Sequence, residues 1–327
     1  MRRAAVGPGA TPRPFRIAVL TCRTVPEPSR SRRVRQPDPD GTELRRRVLR
    51  WYDEHARVLP WRDPSATPWA VLVSEVMLQQ TPVGRVLPVY EEWLDRWPEP
   101  AALAAVPAGE AVRAWGRLGY PRRALRLHAA AAAILERHDG RVPGEYGQLI
   151  ALPGVGDYTA AAVASFAFGR RQVVLDTNVR RVLARVRGGV ELPAATLTRA
   201  ERERAAELLP DDGRTSAAWA VAAMELGALV CVASAPRCDT CPVHDLCSWR
   251  AAGYPAHSGV RRTQRYEGTD RQCRGRLLAL LRDSQVPVPR RTVETAWPVD
   301  EQRDRCLQWL VDDGLVVQVA ADAYALP

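Results

Sequence analysis

Lysine is absent from all 327 residues, so each of the 47 basic side chains is an arginine. A guanidinium stays protonated and is no nucleophilic amine, which excludes chemistry that runs through a side-chain Schiff base. Long apolar runs are absent as well. Nothing approaches the roughly 20 residues needed to cross a bilayer, and IAVLTC, Ile17 to Cys22, is too short for the core of a signal peptide. A chain of this kind is expected in the cytoplasm, where thiols stay reduced. No internal repeat is found, which excludes solenoids.

What is present is a globular composition, 46% hydrophobic, with a formal net charge of +10. The charge is uneven: residues 1–42 hold 9 arginines against 3 acids, a surplus of +6. That stretch is Pro-, Arg- and Gly-rich without apolar periodicity and reads as a disordered arm. From Thr42 the period is helical. Leu44, Val48 and Trp51 open an amphipathic helix, and helical stretches follow near 68–80, 83–97, 110–118, 121–137, 158–168, 179–186, 199–209 and 216–230. Short Pro/Gly connections make this an all-α body that closes near Cys247. Residues 254–265 read as a linker. Beyond it, helices near 270–281, 291–296 and 301–311 and an alternating hairpin, Leu315 to Leu326, resemble a winged helix over 266–327.

Within the body, LPGVG places Gly154, Val155 and Gly156 between two apolar helices. Both glycines tolerate positive φ, and backbone N–H groups at the start of the next helix can form an anion nest. The same turn serves an ordinary αα connection or a helix-hairpin-helix that grips a DNA phosphate. In WAVLVSEVMLQQTP, Glu75 lies in a helix apolar nearly all round. Desolvation there raises a carboxyl pKa, which makes a general acid, whereas an ion pair makes the residue structural. In VVLDTNVRRVLARV, Asp176 is an N-cap, held ionised by the helix end. An anion opposite a buried acid is also the arrangement that breaks a glycosidic bond.

Cys231, Cys238, Cys241 and Cys247 crowd into 17 positions with the spacing C-x6-C-x2-C-x5-C. Such density implies metal. One C-x2-C pair flanked by single cysteines departs from the usual paired zinc pattern, and four thiolates hold either zinc or a [4Fe-4S] cluster.

Taken in order, LPWR, SEVMLQQT, RLGY, LPGVG with Tyr158, LDTNVRRVLAR and the cysteine spacing resemble the A/G-specific adenine DNA glycosylases, the MutY family of the helix-hairpin-helix glycosylases that include endonuclease III. The match runs from about Leu59 to Cys247. It implies a two-lobed body over 43–250: a six-helix lobe near 68–170, and a cluster lobe from 43–67 and 171–250. It implies a [4Fe-4S] cofactor on the four cysteines, stapling a loop whose Arg237 and His244 meet DNA. By the same resemblance Glu75 protonates a flipped adenine and Asp176 stabilises the sugar cation, with Asn178 and Tyr158 close by. Trp61 and Arg62 line the base pocket, while Gln79, Gln80 and Tyr120 wedge into the duplex. The partner is double-stranded DNA carrying adenine opposite 8-oxoguanine or guanine, and the protein is expected to act as a monomer.

Endonuclease III-type lyases carry their nucleophilic lysine where this chain has Tyr158, so the resemblance implies a monofunctional enzyme. Two departures stand out. Val221 replaces the Gln or Glu that many members direct at adenine, and the 60-residue C-terminal segment is too short for their Nudix-related domain. The helix with Arg271, Arg274 and Arg276 is either a solvated face or a second DNA-facing surface. The rival readings are a T/G or U/G mismatch glycosylase of the same superfamily and a non-enzymatic iron-sulfur DNA-binding regulator. Retention of Glu75 and Asp176 argues against the regulator.

Overall fold

The computed structural model describes residues 38, 40–257 and 266–327. Most of the expected arm, and linker residues 258–265, lie outside that range. Of the residues that composition assigned to the arm, 38 and 40–42 belong with the first helix. The Asp38 carboxylate accepts the N–H groups of Glu43 and Leu44, each at 3.0 Å, which satisfies free donors of the first turn of helix α1 (Thr42–His55).

A 3-10 turn over Pro60–Arg62 leads into α2 (Pro68–Leu78), started by the Thr67 cap. Then come α3 (Val83–Arg96), α4 (Pro100–Ala104), α5 (Ala108–Ala114), α6 (Arg122–Arg137), α7 (Tyr146–Ile150) and α8 (Asp157–Phe168). The helices α2 to α8 share a core built round Trp93, Trp97 and Trp115, and Ala160 to Ala164 let α8 pack closely on all sides. The lobe therefore holds two helices more than the periodicity located. Each of the two, α4 and α7, has 5 residues, too few to show a 3.6-residue period.

The second lobe gathers α1 with α9 (Thr177–Val186), α10 (Arg199–Glu207) and α11 (Gly213–Leu229). Leu44, Val48 and Trp51 pack there against Val182, Trp219 and Leu226. The chain thus starts in one lobe, builds the other, and returns. A small cluster of Ala161, Ala162, Val174 and Ala220 joins the two. The loop after α11 ends in the short α12 (Ser248–Ala251).

The C-terminal segment has the expected order: α13 (Asp270–Asp283), β1 (Val288–Pro289), α14 (Arg290–Thr295), α15 (Asp300–Asp312), β2 (Val317–Ala320) and β3 (Ala323–Ala325). Its antiparallel sheet runs β1-β3-β2, with Val288 opposite Tyr324 and Val317 opposite Ala325. This unit is not detached. Leu277, Leu281 and Leu310 belong to the same core as the first lobe, and the Gly109 N–H donates to the carbonyl of Pro327 at 2.6 Å. Among the described residues no helix is long and apolar enough to cross a membrane.

Candidate active site

Helix α2 buries every residue from Trp69 to Met77, Glu75 among them. Its carboxylate accepts a hydrogen bond from the Tyr158 hydroxyl of α8 at 2.8 Å. Burial pushes the Glu75 carboxyl up to about 7; the Tyr158 hydrogen bond opposes that rise, and the nearby Asp176 charge adds to it. Burial and the two carboxylates together also keep the Tyr158 hydroxyl well above its ordinary range. Glu75, Tyr158 and Asp176 thus form one electrostatic group, contributed by α2, α8 and the start of α9.

Asp176 is the N-cap of α9, as its position predicts. It accepts the Val179 N–H at 2.6 Å and the Asn178 side-chain amide at 2.7 Å. The cap does not simply hold it ionised, however. Burial raises its pKa, and the hydrogen bonds from Val179 and Asn178 offset only part of that rise. Asn178, the one asparagine in the chain, is fixed in turn by Arg181, which donates to its carbonyl oxygen at 2.8 Å.

Arg62 enters from the 3-10 turn and donates to Glu225 on α11 at 2.8 Å, while its Nη1 is buried without a partner. Glu225 also accepts from Arg57 through Nε and Nη2, both at 2.7 Å. Burial pushes the Glu225 carboxyl up, but the bonds from Arg57 and Arg62 outweigh it and hold the group at about 2. Neither Arg57 nor Glu225 was singled out by motif. The available signal was an acid inside the apolar run WAVAAMELGALV. Trp61 is buried edge-on against Tyr90, at 5.1 Å between ring centres, so it forms a wall and not a free stacking surface.

The expected wedge residues divide. Gln80 and Tyr120 are exposed, both have positive φ (54° and 57°), and the Tyr120 hydroxyl donates to Gln80 at 2.7 Å. Gln79 turns inward and donates to buried Thr159 at 3.1 Å. The hairpin glycines divide too. Gly154 has φ 74°, and a Cβ there would meet the Arg126 Cβ at 2.5 Å. Gly156 is extended at φ −100°, with nothing within 4 Å of a built Cβ, so its role is not positive φ but open space outside the turn. The Val155 side chain is buried and its N–H is bound to Leu152 O at 3.2 Å. The donors left without a side-chain cap are those of the first turn of α8.

In the second lobe, Cys231, Cys238, Cys241 and Cys247 line one pocket, with Arg185 and Trp249 beside them. Among the described residues no group of three or more potential ligands is gathered to hold a single metal ion. Four cysteine sulfurs round one pocket are a donor set of the kind that a [4Fe-4S] cluster or a zinc ion takes. Arg185, buried and stacked on Trp249 at 4.6 Å, donates toward the Cys231 sulfur at 3.4 Å and so places a positive charge beside the four sulfurs. Arg237 and His244 are exposed on the rim of this loop.

Residues 73–207 match the model of the HhH-GPD superfamily of base excision DNA repair proteins. An adenine DNA glycosylase of Mycolicibacterium smegmatis is 51% identical over 281 residues, covering 85% of this chain and 94% of that protein. The chain belongs to the adenine DNA glycosylase family. The adenine DNA glycosylase of Mycobacterium tuberculosis strain H37Rv is 49% identical over 298 residues, covering 89% and 97%. Among solved structures, a thermostable thymine-DNA glycosylase superimposes with a TM-score of 0.59 at 28% identity, covering 65% of this chain and 97% of its own. Family membership accounts for the two-lobed helical body and the hairpin before α8; the C-terminal unit extends past the superfamily match.

Proposed function

We propose that this member of the adenine DNA glycosylase family hydrolyses the N-glycosidic bond of adenine opposite 8-oxoguanine or guanine in duplex DNA. The observation that carries this is Glu75: a carboxyl held near pKa 7, bonded to Tyr158 and facing Asp176. A protonated Glu75 donates its proton to the imidazole ring of an extruded adenine, so the base leaves with the bonding electron pair. Asp176, in its ionised form, stabilises the cationic sugar. Water then bonds to the sugar carbon and loses a proton, leaving an abasic site. Extrusion of the base costs a few kcal/mol, offset by the pocket and by Gln80 and Tyr120 filling the gap.

The unpartnered Nη1 of Arg62 is available to a ring nitrogen of the base, with Glu225 and Arg57 holding the guanidinium in place. That support matters because Val221 carries no polar group toward the pocket. With no lysine to form a Schiff base, the reaction stops at the abasic site. Cys231, Cys238, Cys241 and Cys247 would hold a [4Fe-4S] cluster. When bound it supplies a rigid staple for the loop bearing Arg237 and His244. Iron and sulfide in equal amounts, both lost from a Cys241→Ser variant, are expected; zinc in place of iron would overturn that assignment.

Single-turnover assays test the whole reading on duplexes with A opposite 8-oxoguanine, A opposite G, and T opposite G. Adenine is released and thymine is not, and strands break only after alkali. Glu75→Gln binds DNA like the wild type but loses about 10²- to 10⁴-fold in rate. A loss under about tenfold overturns the role of Glu75.

A further inference from the structure

The C-terminal unit has the order of a winged helix, whose usual DNA-reading parts are its third helix and its wing. Here those parts are badly charged for the task. The third helix, α15, carries Asp300, Glu301, Asp304 and Asp312. Its two arginines are committed to carboxylates: Arg303 to Asp300 at 2.6 Å and to Asp304 at 3.2 Å, and Arg305 to Asp270 at 3.1 Å. The hairpin of β2 and β3 has no basic residue and carries Asp322 at its turn.

The first helix, α13, is different. Arg271 and Arg274 lie one turn apart and take part in no ion pair among the described residues. Both are instead set against exposed aromatic rings. The Arg271 guanidinium lies 5.9 Å from the Tyr120 ring centre and 5.8 Å from that of Tyr266. Arg274 stands 5.6 Å from Trp309. Tyr120 is 48% exposed, Tyr266 54% and Trp309 39%. Unpaired guanidinium groups alternating with exposed aromatic faces are the make-up of a surface that binds phosphates and unstacked bases.

Position gives this surface its partner. Tyr120 belongs to the first lobe, where it donates to Gln80 and has Arg123 over its ring at 4.5 Å, yet Arg271 of the C-terminal unit also reaches the ring, at 5.9 Å. We propose that the C-terminal unit meets DNA through the N-terminal half of α13. Tyr266 and Arg271 continue the Tyr120 wedge along the strand opposite the extruded nucleotide, Arg274 and Trp309 lie at the edge of that surface, and the acidic start of α15 and the hairpin stay off the DNA. This rests on the reading of Gln80 and Tyr120 as the wedge.

The test uses the full chain and a duplex carrying a non-hydrolysable abasic analogue opposite 8-oxoguanine or guanine, with dissociation constants measured over a range of salt. Arg271→Ala and Tyr266→Ala are each expected to weaken binding about tenfold. For Arg271→Ala the slope of log affinity against log salt also flattens by about one, the loss of one phosphate contact. Gln308→Glu on α15 and Gln318→Glu on the hairpin, which add negative charge to outward-facing positions, leave affinity and slope unchanged. The reverse pattern, weakening by the glutamates and none by the alanines, overturns the proposal, as does an unchanged set. Adenine release by the wild type is scored separately. A protein that binds duplex but frees no adenine overturns the glycosylase reading while the salt slopes still decide the surface.

Discussion

Glu75 and Glu225 look alike in sequence, each an acid embedded in an apolar helix, and the fold drives them in opposite directions. Glu75 finds a tyrosine hydroxyl and a second carboxylate, and sits at about 7. Glu225 finds two guanidinium groups and sits at about 2. The hydrophobic pattern made burial legible for Glu75, and the family motifs put Tyr158 near it, but the Arg57 that reaches Glu225 from 168 residues away was not legible. The signs of the pH effects follow. A carboxyl raised from 4.5 to about 7 stabilises the protein less as pH climbs through that window, a cost of about 3 kcal/mol when complete. Glu225 contributes stability above its ordinary range that is lost as pH falls toward 2. Adenine release is therefore expected to decline above about pH 7, as Glu75 loses its proton. Glu75→Gln is expected to be more stable than the wild type at pH 8 and no more stable near pH 4, measured by denaturant unfolding across pH. A pH-independent difference would show that the buried charge is not the cause.

Elements were legible where they were long. The boundaries of α6, α8 and α15 follow from apolar spacing, whereas α4 and α7 are too short to carry a period, and β1 has 2 residues. What spacing could not show is how closely elements approach. Gly227 lies inside α11, where glycine weakens a helix by roughly 0.8–1.0 kcal/mol relative to alanine. Its reason is contact: a Cβ there would stand 2.7 Å from the Asn178 Cβ and 2.9 Å from the Asn178 carbonyl oxygen. The start of α9, which carries Asp176 and Asn178, rests directly on this glycine. Gly227→Ala must push the two helices apart, so helix propensity predicts a gain and packing a loss. Packing wins, since overpacking costs typically 1–3 kcal/mol. Displacing Asp176 by about 1 Å is expected to slow adenine release by up to about 10²-fold. Single-turnover rate and duplex affinity, measured together, check this: the rate falls and affinity stays, because the start of α8 is untouched.

Over the whole molecule, the shift in composition at 254–265 pointed to a separable C-terminal unit, and the winged-helix order was legible from helix spacing and the hairpin. Its docking was not, because the surfaces that meet are made of ordinary residues. Arg113 donates to the carbonyls of Arg282 and Ser284, and Arg282 returns a bond to Val112 O at 3.0 Å. Gly109 is pressed so closely against the end of the chain that a Cβ would meet the Pro327 carbonyl oxygen at 2.4 Å. Removing residues 254–327 would thus expose part of a continuous core, while Glu75, Asp176, the hairpin and the four cysteines all stay in place. The chain ending at Gly253 is expected to keep releasing adenine at low temperature. Its unfolding midpoint falls by about 10 °C, the equivalent of a few kcal/mol for a body of this size. It also binds duplex more weakly, since Tyr266 and Arg271 are removed with the C-terminal unit. Thermal unfolding and single-turnover rates at two temperatures separate the effects. A truncated chain that is stable but inactive would place the C-terminal unit in the chemistry itself, and one that is active with an unshifted midpoint would show that the shared core does little to hold the first lobe together.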